Sequence, residues 1–117
     1  TDLASALPAL RCNVRLNAEL DDPGGPAMMV AELDWRQAAR GNAPLPDGPF
    51  DFVCWADCVY WPELMEPLCA TLLLLVSPAT ATSVVFSLVR RGDRTDKFMS
   101  LLKQNFDLRR AWQSPAG

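Results

Sequence analysis

The sequence predicts an α/β fold in which helices cover both faces of a mostly parallel, doubly wound sheet. Segments with apolar residues at helical spacing alternate with short apolar runs along the whole chain. These runs are apolar at nearly every position, which is typical of parallel strands that are buried on both faces. The length of 117 residues, half of them hydrophobic, is enough for one core and too short for two.

The first part of the chain is predicted to form a helix, a strand and a loop. Apolar residues one helical turn apart indicate a helix that ends near residue 20: Leu3, Leu7, Leu10 and Val14. Ser5 is expected to cap this helix, with Pro8 in its first turn, where a missing N–H costs little. A breaker cluster at 21–26 precedes an apolar run at 27–33, a predicted strand. Residues 36–49 are rich in glycine and proline and predict a surface loop.

The second part of the chain is predicted to alternate strands and helices. The expected elements are a strand at 50–59, a helix at 62–76, a strand at 83–89, a short helix at about 95–104 and a strand at 106–112. Pro67 suits the first turn of the first of these helices.

Charge and hydropathy exclude some partners. The net charge of −3 and the pI near 4.8 lack the basic surplus that a phosphate backbone requires, so nucleic-acid binding is not expected. The longest apolar stretch, at 64–76, is shorter than the roughly 20 residues that span a bilayer, so no membrane partner is expected. A protein or small-molecule partner fits better.

The four cysteines do not predict a metal site. They form no CxxC pair, and the chain has no histidine. Cys54 and Cys58 are four residues apart in a predicted strand, a span of roughly 13 Å that is too long for a shared ion or a disulfide. We expect them to be reduced thiols of the core, which is consistent with a cytoplasmic protein.

Two acidic positions in the first part are candidates for nucleotide binding, because ligands of such folds lie beyond the carboxyl ends of the strands. Asp2 would end a strand that lies before residue 1, where a carboxylate accepts ribose hydroxyls; an ordinary capping or surface aspartate is the alternative. Asp34 and Trp35 follow a predicted strand and together suit an exocyclic amine and a purine ring. A turn aspartate beside a partly buried tryptophan is the alternative there.

A third candidate lies where the strand at 50–59 ends. Asp57 and Tyr60 place an acid and an aromatic ring three residues apart, a combination that can hold an amine. Asp57 would position a neutral amine and help to remove its proton. Alternatively, Tyr60 and Trp61 close the core, and Asp57 caps the next segment.

The order of these segments resembles methyltransferase family 16, the protein-lysine branch of the seven-strand, Rossmann-like methyltransferases. The resemblance covers the chain from Thr1 to about Arg110 through TDL, LRCNVRLN, ELDW, FDFVCWADCVYWPELMEPLCATL and FMSLLKQNF. FD followed by ADCVY and ELMEPLCATL is its most specific part.

The resemblance implies an enzyme that uses S-adenosyl-L-methionine to methylate a lysine of a protein substrate, without a metal. By this resemblance Asp2 would bind the ribose, and Ala56 would face the cofactor. Asp34 and Trp35 would border the adenine. Asp57 and Tyr60 would match the family's DxxY motif at the substrate lysine.

Two segments of the family pattern have no counterpart in residues 1–117. One is a first strand with a glycine-rich loop for the methionine part of the cofactor, which the glycine pair in the cluster at 21–26 cannot replace; the other is a final strand. We therefore expect residues 1–117 to be the C-terminal part of a single methyltransferase-like domain, completed by an upstream segment or another chain. A buried strand contributes on the order of 10 kcal/mol, and a whole domain is stable by only about 5–15 kcal/mol, so the segment alone is expected to be unstable and inactive.

Two other functions stay open at this point. A non-catalytic, methyltransferase-like piece of a larger assembly would lack the glycine-rich loop. An unrelated nucleotide-binding α/β domain would need such a loop as well, and it would explain the spacing of the DxxY motif less well.

Overall fold

The computed structural model describes residues 1–18, 28–77, 79, 81–90 and 92–110. Contacts divide the chain into two compact units, Thr1–Gly48 and Pro49–Gly117. The regular elements among the described residues are α1 (Leu7–Leu16) and α2 (Trp35–Ala39) in the first unit, and β1 (Phe52–Ala56), α3 (Met65–Leu75), β2 (Ser83–Ser87) and α4 (Asp93–Lys103) in the second. That residues 1–117 belong to a single domain stays a prediction.

Helix α1 forms where the apolar spacing predicted a helix, but it is shorter. Leu7 is buried and Leu10 and Val14 are half-buried, so these three residues mark its inner face. Pro8 lies in the first turn, as predicted. The prediction of Ser5 as the cap is wrong, because residues 4–6 form a tighter 3₁₀ turn, and the helix begins after Ala6 without a side-chain cap.

The predicted strand at 27–33 is wrong for the residues that are described. Residues 28–33 contain a single parallel bridge, between Asp2 and Glu32, and the Leu33 N–H donates to the Asp2 carbonyl at 2.9 Å. A strand needs several consecutive backbone partners, and residues 28–33 have a single bridge partner in the described part of the chain. The breaker cluster at 21–26 lies outside the described residues.

The predicted loop at 36–49 begins with a helix instead. Asp34 caps α2, since its Oδ1 accepts the N–H groups of Arg36 and Gln37 at 2.9 and 3.4 Å. Gly41, with φ at +70°, ends it: the Gly41 N–H donates to the Ala38 carbonyl, and the next N–H donates to the Gln37 carbonyl. The stretch from 42 to 49 has no helix or strand, as predicted.

The second unit confirms the predicted order of strand, helix, strand and helix. β1 and β2 are parallel, with Phe52 opposite Ser83 and Ala56 opposite Ser87, and α3 connects them. Pro67 lies in the first turn of α3, as predicted. The α/β class with parallel strands is therefore confirmed, although both strands are shorter than expected.

The two faces of this strand pair differ in burial. On one face, the Trp55 ring stacks on Phe86 with centroids 4.5 Å apart, and it forms a T-shaped pair with Phe98 of α4, with centroids 5.7 Å apart. On the other face, Phe52 is 66% exposed and Val85 is 52% exposed. The expectation that both faces are covered is therefore wrong for the described residues, because alternate side chains of a strand point to opposite faces and only one face is covered here.

The same alternation corrects the prediction for the cysteines. All four are free thiols; Cys69 of α3 is buried, whereas Cys54, on the exposed face of β1, is not a core residue. Cys58 is half-buried.

The end of the chain also differs from the prediction. Residues 106–110 do not form the predicted strand, and 111–112 lie outside the described residues. The Phe106 N–H instead donates to the Leu102 carbonyl, which continues the last turn of α4. No helix among the described residues is long and apolar enough to cross a membrane.

Candidate functional site

The candidate site in the second unit begins at the carboxyl end of β1. The Asp57 N–H donates to the Ser87 carbonyl at 2.8 Å, which extends the ladder one residue beyond β1. Asp57 then takes a φ of +47°, in the left-handed region that aspartate and asparagine tolerate better than most residues. The chain therefore turns off the sheet at Asp57. No glycine marks this turn, so the sequence analysis did not find it.

The turn brings Asp57 and Tyr60 together. The Tyr60 hydroxyl donates to Oδ2 of Asp57 at 2.6 Å, at the short end of the range for hydroxyl hydrogen bonds. Asp57 is half-buried, and Tyr60 is 45% exposed. The two residues of the predicted motif thus form one pair that a ligand can reach.

The alternative in which the aromatic rings close the core is wrong for the described structure. Trp61 is 62% exposed, and Tyr60 is also exposed, whereas the buried residue of this segment is Val59. Both rings therefore lie on the surface of the unit rather than in its core.

A residue that the sequence analysis missed also contacts this segment. Arg94, in the first turn of α4, donates from Nη1 to the Tyr60 carbonyl at 3.2 Å. The two residues are 34 positions apart, and neither periodicity nor a motif connects them. The residue before the turn, Ala56, is exposed on the same face of β1 as Phe52.

The candidate residues of the first unit lie at the ends of two parallel segments. Asp2 pairs with Glu32, so Asp34 lies only two residues, or about 7 Å of extended chain, beyond the bridge. Oδ1 of Asp2 accepts the Leu3 N–H at 2.7 Å, and Asp2 is exposed. Trp35 is half-buried at the start of α2.

The structure thus places the six candidate residues in two sets. The set Asp2, Asp34 and Trp35 belongs to the first unit, and the set Ala56, Asp57 and Tyr60 belongs to the second. Among the described residues, no three potential metal ligands lie together.

Comparison with known proteins identifies the family. The model of a family described as lysine methyltransferase matches residues 1–105. The chain is 31% identical to the protein-lysine methyltransferase METTL21E of Mus musculus, over 92% of this chain and 43% of that protein. It is 29% identical to the calmodulin-lysine N-methyltransferase of Arabidopsis thaliana, over 68% of this chain and 25% of that protein.

The chain spans less than half the length of these relatives. No solved structure matches it. The family model covers more than half of the chain, and it begins at the residue that precedes Asp2 and extends beyond α4. The chain therefore belongs to the lysine methyltransferase family.

Proposed function

We propose that the protein carrying this chain transfers a methyl group from S-adenosyl-L-methionine to the side-chain amine of a lysine in a protein substrate. The observation that carries the proposal is the hydrogen-bonded pair of Asp57 and Tyr60 at the carboxyl end of β1. Membership of the family supports the reaction class, and the names of the relatives support a protein acceptor.

Asp57 and Tyr60 suit the recognition of an amine. A carboxylate accepts N–H donors, and the tyrosine ring and its hydroxyl oxygen provide a second polar surface beside it. The hydrogen bond between them fixes the direction of both groups before the substrate arrives. A lysine amine is therefore held by residues that need little rearrangement.

The amine must be neutral to react. When it bonds to the methyl carbon, it carries a proton that has to leave, while the carbon–sulfur bond of the donor breaks. Asp57 offers a carboxylate oxygen that can accept an N–H of the amine, so we assign it the positioning of the amine and a part in removing its proton. Tyr60 orients Asp57 through the 2.6 Å hydrogen bond.

The first unit carries groups that fit a nucleoside. Asp2 and Asp34 offer carboxylates at the ends of two parallel-paired segments, the position at which such folds bind nucleotides. We assign the ribose hydroxyls to Asp2 and the border of the adenine to Asp34 and Trp35, with Ala56 on the cofactor side of β1. When bound, S-adenosyl-L-methionine supplies the methyl group. A cytoplasmic location and a segment outside residues 1–117 that completes the sheet are part of the same proposal.

The direct test uses the complete protein that contains this chain. It is incubated with tritiated S-adenosyl-L-methionine and unfractionated cellular protein, which is then hydrolysed to amino acids. We expect the label in methylated lysine, and label found only in other amino acids, or none at all, would overturn the proposal. Isothermal calorimetry with S-adenosyl-L-methionine checks the donor, because a non-catalytic piece that has lost the cofactor loop should show no heat of binding.

A further inference from the structure

Arg94 connects α4 to the segment that carries Asp57 and Tyr60. Its guanidinium donates from Nη1 to the Tyr60 carbonyl at 3.2 Å, across 34 residues of sequence. A hydrogen bond from a charged donor is stronger than one between neutral groups. The main chain at Tyr60 is therefore held from outside its own loop.

The start of α4 is fixed, so the position of Arg94 is defined. Gly92 precedes the helix with φ +63° and ψ −143°, a conformation that is essentially restricted to glycine. Its carbonyl accepts the Thr95 N–H at 3.0 Å, and Thr95 is buried. One turn further, Phe98 is fully buried against Trp55. The residues around Arg94 thus hold the helix turn from which its side chain extends.

Asp96, two residues after Arg94 in α4, is paired with a different arginine. Arg90 binds Asp96 through both carboxylate oxygens, at 3.2 and 3.0 Å. Arg94 contacts the Tyr60 carbonyl rather than this carboxylate. Two arginines four residues apart therefore have different partners, one on the helix surface and one on the loop.

The backbone conformation of this loop needs contacts that hold it in place. Asp57 has a positive φ, which is less favourable than the ordinary backbone conformations even for aspartate and persists only where other contacts hold it. The Ser87 carbonyl holds the backbone of Asp57, and Arg94 holds the backbone of Tyr60. The backbone is thus held at both residues whose side chains, Asp57 and Tyr60, form the 2.6 Å hydrogen bond.

We propose that Arg94 is a positioning residue for methyl transfer, which holds the Tyr60 main chain so that its hydroxyl meets the Asp57 carboxylate. Arg94 acts through Tyr60 and does not contact the substrate. This inference rests on the proposed function, in which Asp57 and Tyr60 hold the lysine amine.

The test compares Arg94→Ala, Arg94→Lys and Arg90→Ala in the complete protein. The maximal rate and the apparent KM are measured with unfractionated cellular protein as the acceptor, at saturating S-adenosyl-L-methionine, and the Kd of the donor is measured by calorimetry. We expect Arg94→Ala to lower the maximal rate by about 10- to 100-fold, because a small displacement of a catalytic group is costly, and to leave the donor Kd within about twofold. Arg94→Lys should regain part of the rate, since an ammonium also donates to a carbonyl. Arg90→Ala should change the rate by less than about twofold, since Arg90 binds Asp96 of α4 and not the loop that carries Tyr60.

A second measurement separates this inference from the proposed function. Hydrogen exchange of the amides at 58–61 should be faster in Arg94→Ala than in the wild-type protein or Arg90→Ala. Faster exchange together with full activity of Asp57→Asn would overturn the proposed site and leave the contact of Arg94 with the loop intact. Unchanged exchange and an unchanged rate in Arg94→Ala would overturn the role of Arg94, as would equal losses of rate and donor binding in Arg94→Ala and Arg90→Ala.

Discussion

Asp34 and Asp57 are both acidic residues at a chain turn, but they differ in the range of their contacts. Asp34 accepts N–H groups two and three residues ahead, as an aspartate at any helix start does. Asp57 takes a positive φ, accepts a hydrogen bond from the Tyr60 hydroxyl three residues ahead, and donates its backbone N–H to Ser87 of β2, 30 positions away. The contacts of Asp34 are explained by local structure alone. The backbone contact of Asp57 with Ser87 instead depends on the pairing of β1 with β2, and the positive φ and the bond to Tyr60 favour a role beyond capping.

The largest expected effect follows from this difference. Asp57→Asn keeps a residue that tolerates positive φ and removes the charge, so we expect methylation to fall by about 10²- to 10⁴-fold with no loss of folding stability. Asp57→Ala would combine the loss of the carboxylate with a loss of stability, because alanine at this φ adds a backbone cost of about 1–2 kcal/mol. The measurement is the rate of methyl-lysine formation, beside the free energy of unfolding in urea.

Asp34→Asn is the matched control for that experiment. Asparagine is as good a helix cap as aspartate, so the stability should change by only a few tenths of a kcal/mol. The rate at saturating donor should stay close to the wild-type rate, and any loss should appear in the donor Kd. Equal rate losses in Asp34→Asn and Asp57→Asn would abolish the distinction between the two residues.

Two glycines, Gly41 in the first unit and Gly92 in the second, test the backbone conformation of each unit. No atom lies within 4 Å of a Cβ built at Gly41 or Gly92, so alanine costs stability there through the backbone conformation alone. Gly92→Ala should cost about 1–3 kcal/mol, because its φ and ψ lie in a region that is essentially restricted to glycine. Gly41→Ala, in the left-handed helical region, should cost about 1–2 kcal/mol. Urea unfolding of the complete protein measures both, and a smaller loss at Gly92 than at Gly41 would reverse the expected order.

The helix cap itself gives the next smaller effect. Asp34→Ala removes the acceptor for two N–H groups at the start of α2 and should cost about 1 kcal/mol of stability. The Asp34→Asn variant is again the control, since it keeps the acceptor. Equal stabilities of the two variants would show that the cap does not hold α2 in the complete protein.

Periodicity predicted the second unit well, because its elements contain long apolar patterns. The buried residues Leu68 and Leu72 of α3, and Phe98 and Leu102 of α4, follow helical spacing in the sequence. Helix α2 was missed because it has only five residues and lies beside a glycine- and proline-rich stretch. Its signals were present, namely Asp34 at the start and Gly41 just beyond the end.

The candidate site was predictable only in part. The spacing of Asp57 and Tyr60 is visible in the sequence, and their hydrogen bond follows from a turn of three residues. The contact of Arg94 is not visible, because it joins two elements that meet only in the folded unit. The exposure of Phe52 was missed for a related reason, since an apolar strand does not indicate which of its faces is covered.

The smallest expected effect on stability concerns two cysteines, one in each unit. Cys12 of α1 is exposed, whereas Cys69 of α3 is buried, and burial raises the pKa of the Cys69 thiol above its ordinary value. In the folded protein Cys69 therefore stays protonated at a pH at which the unfolded chain has begun to release that proton. Since the folded state then binds more protons, stability should fall as pH rises from the ordinary pKa of a thiol to the raised pKa of Cys69.

Below that alkaline window Cys69 contributes no pH dependence, and Cys69→Ala should remove its part of the alkaline loss of stability. Urea unfolding at several alkaline pH values measures this effect. Labelling with a thiol reagent at neutral pH provides an independent reading, because the thiolate is the reactive form and a buried, protonated thiol reacts slowly. The exposed Cys12 should react before the buried Cys69. Equal labelling rates would mean that α3 does not keep its buried face covered in solution, which would also remove the packing of α3 on α4 that supports the turn carrying Arg94.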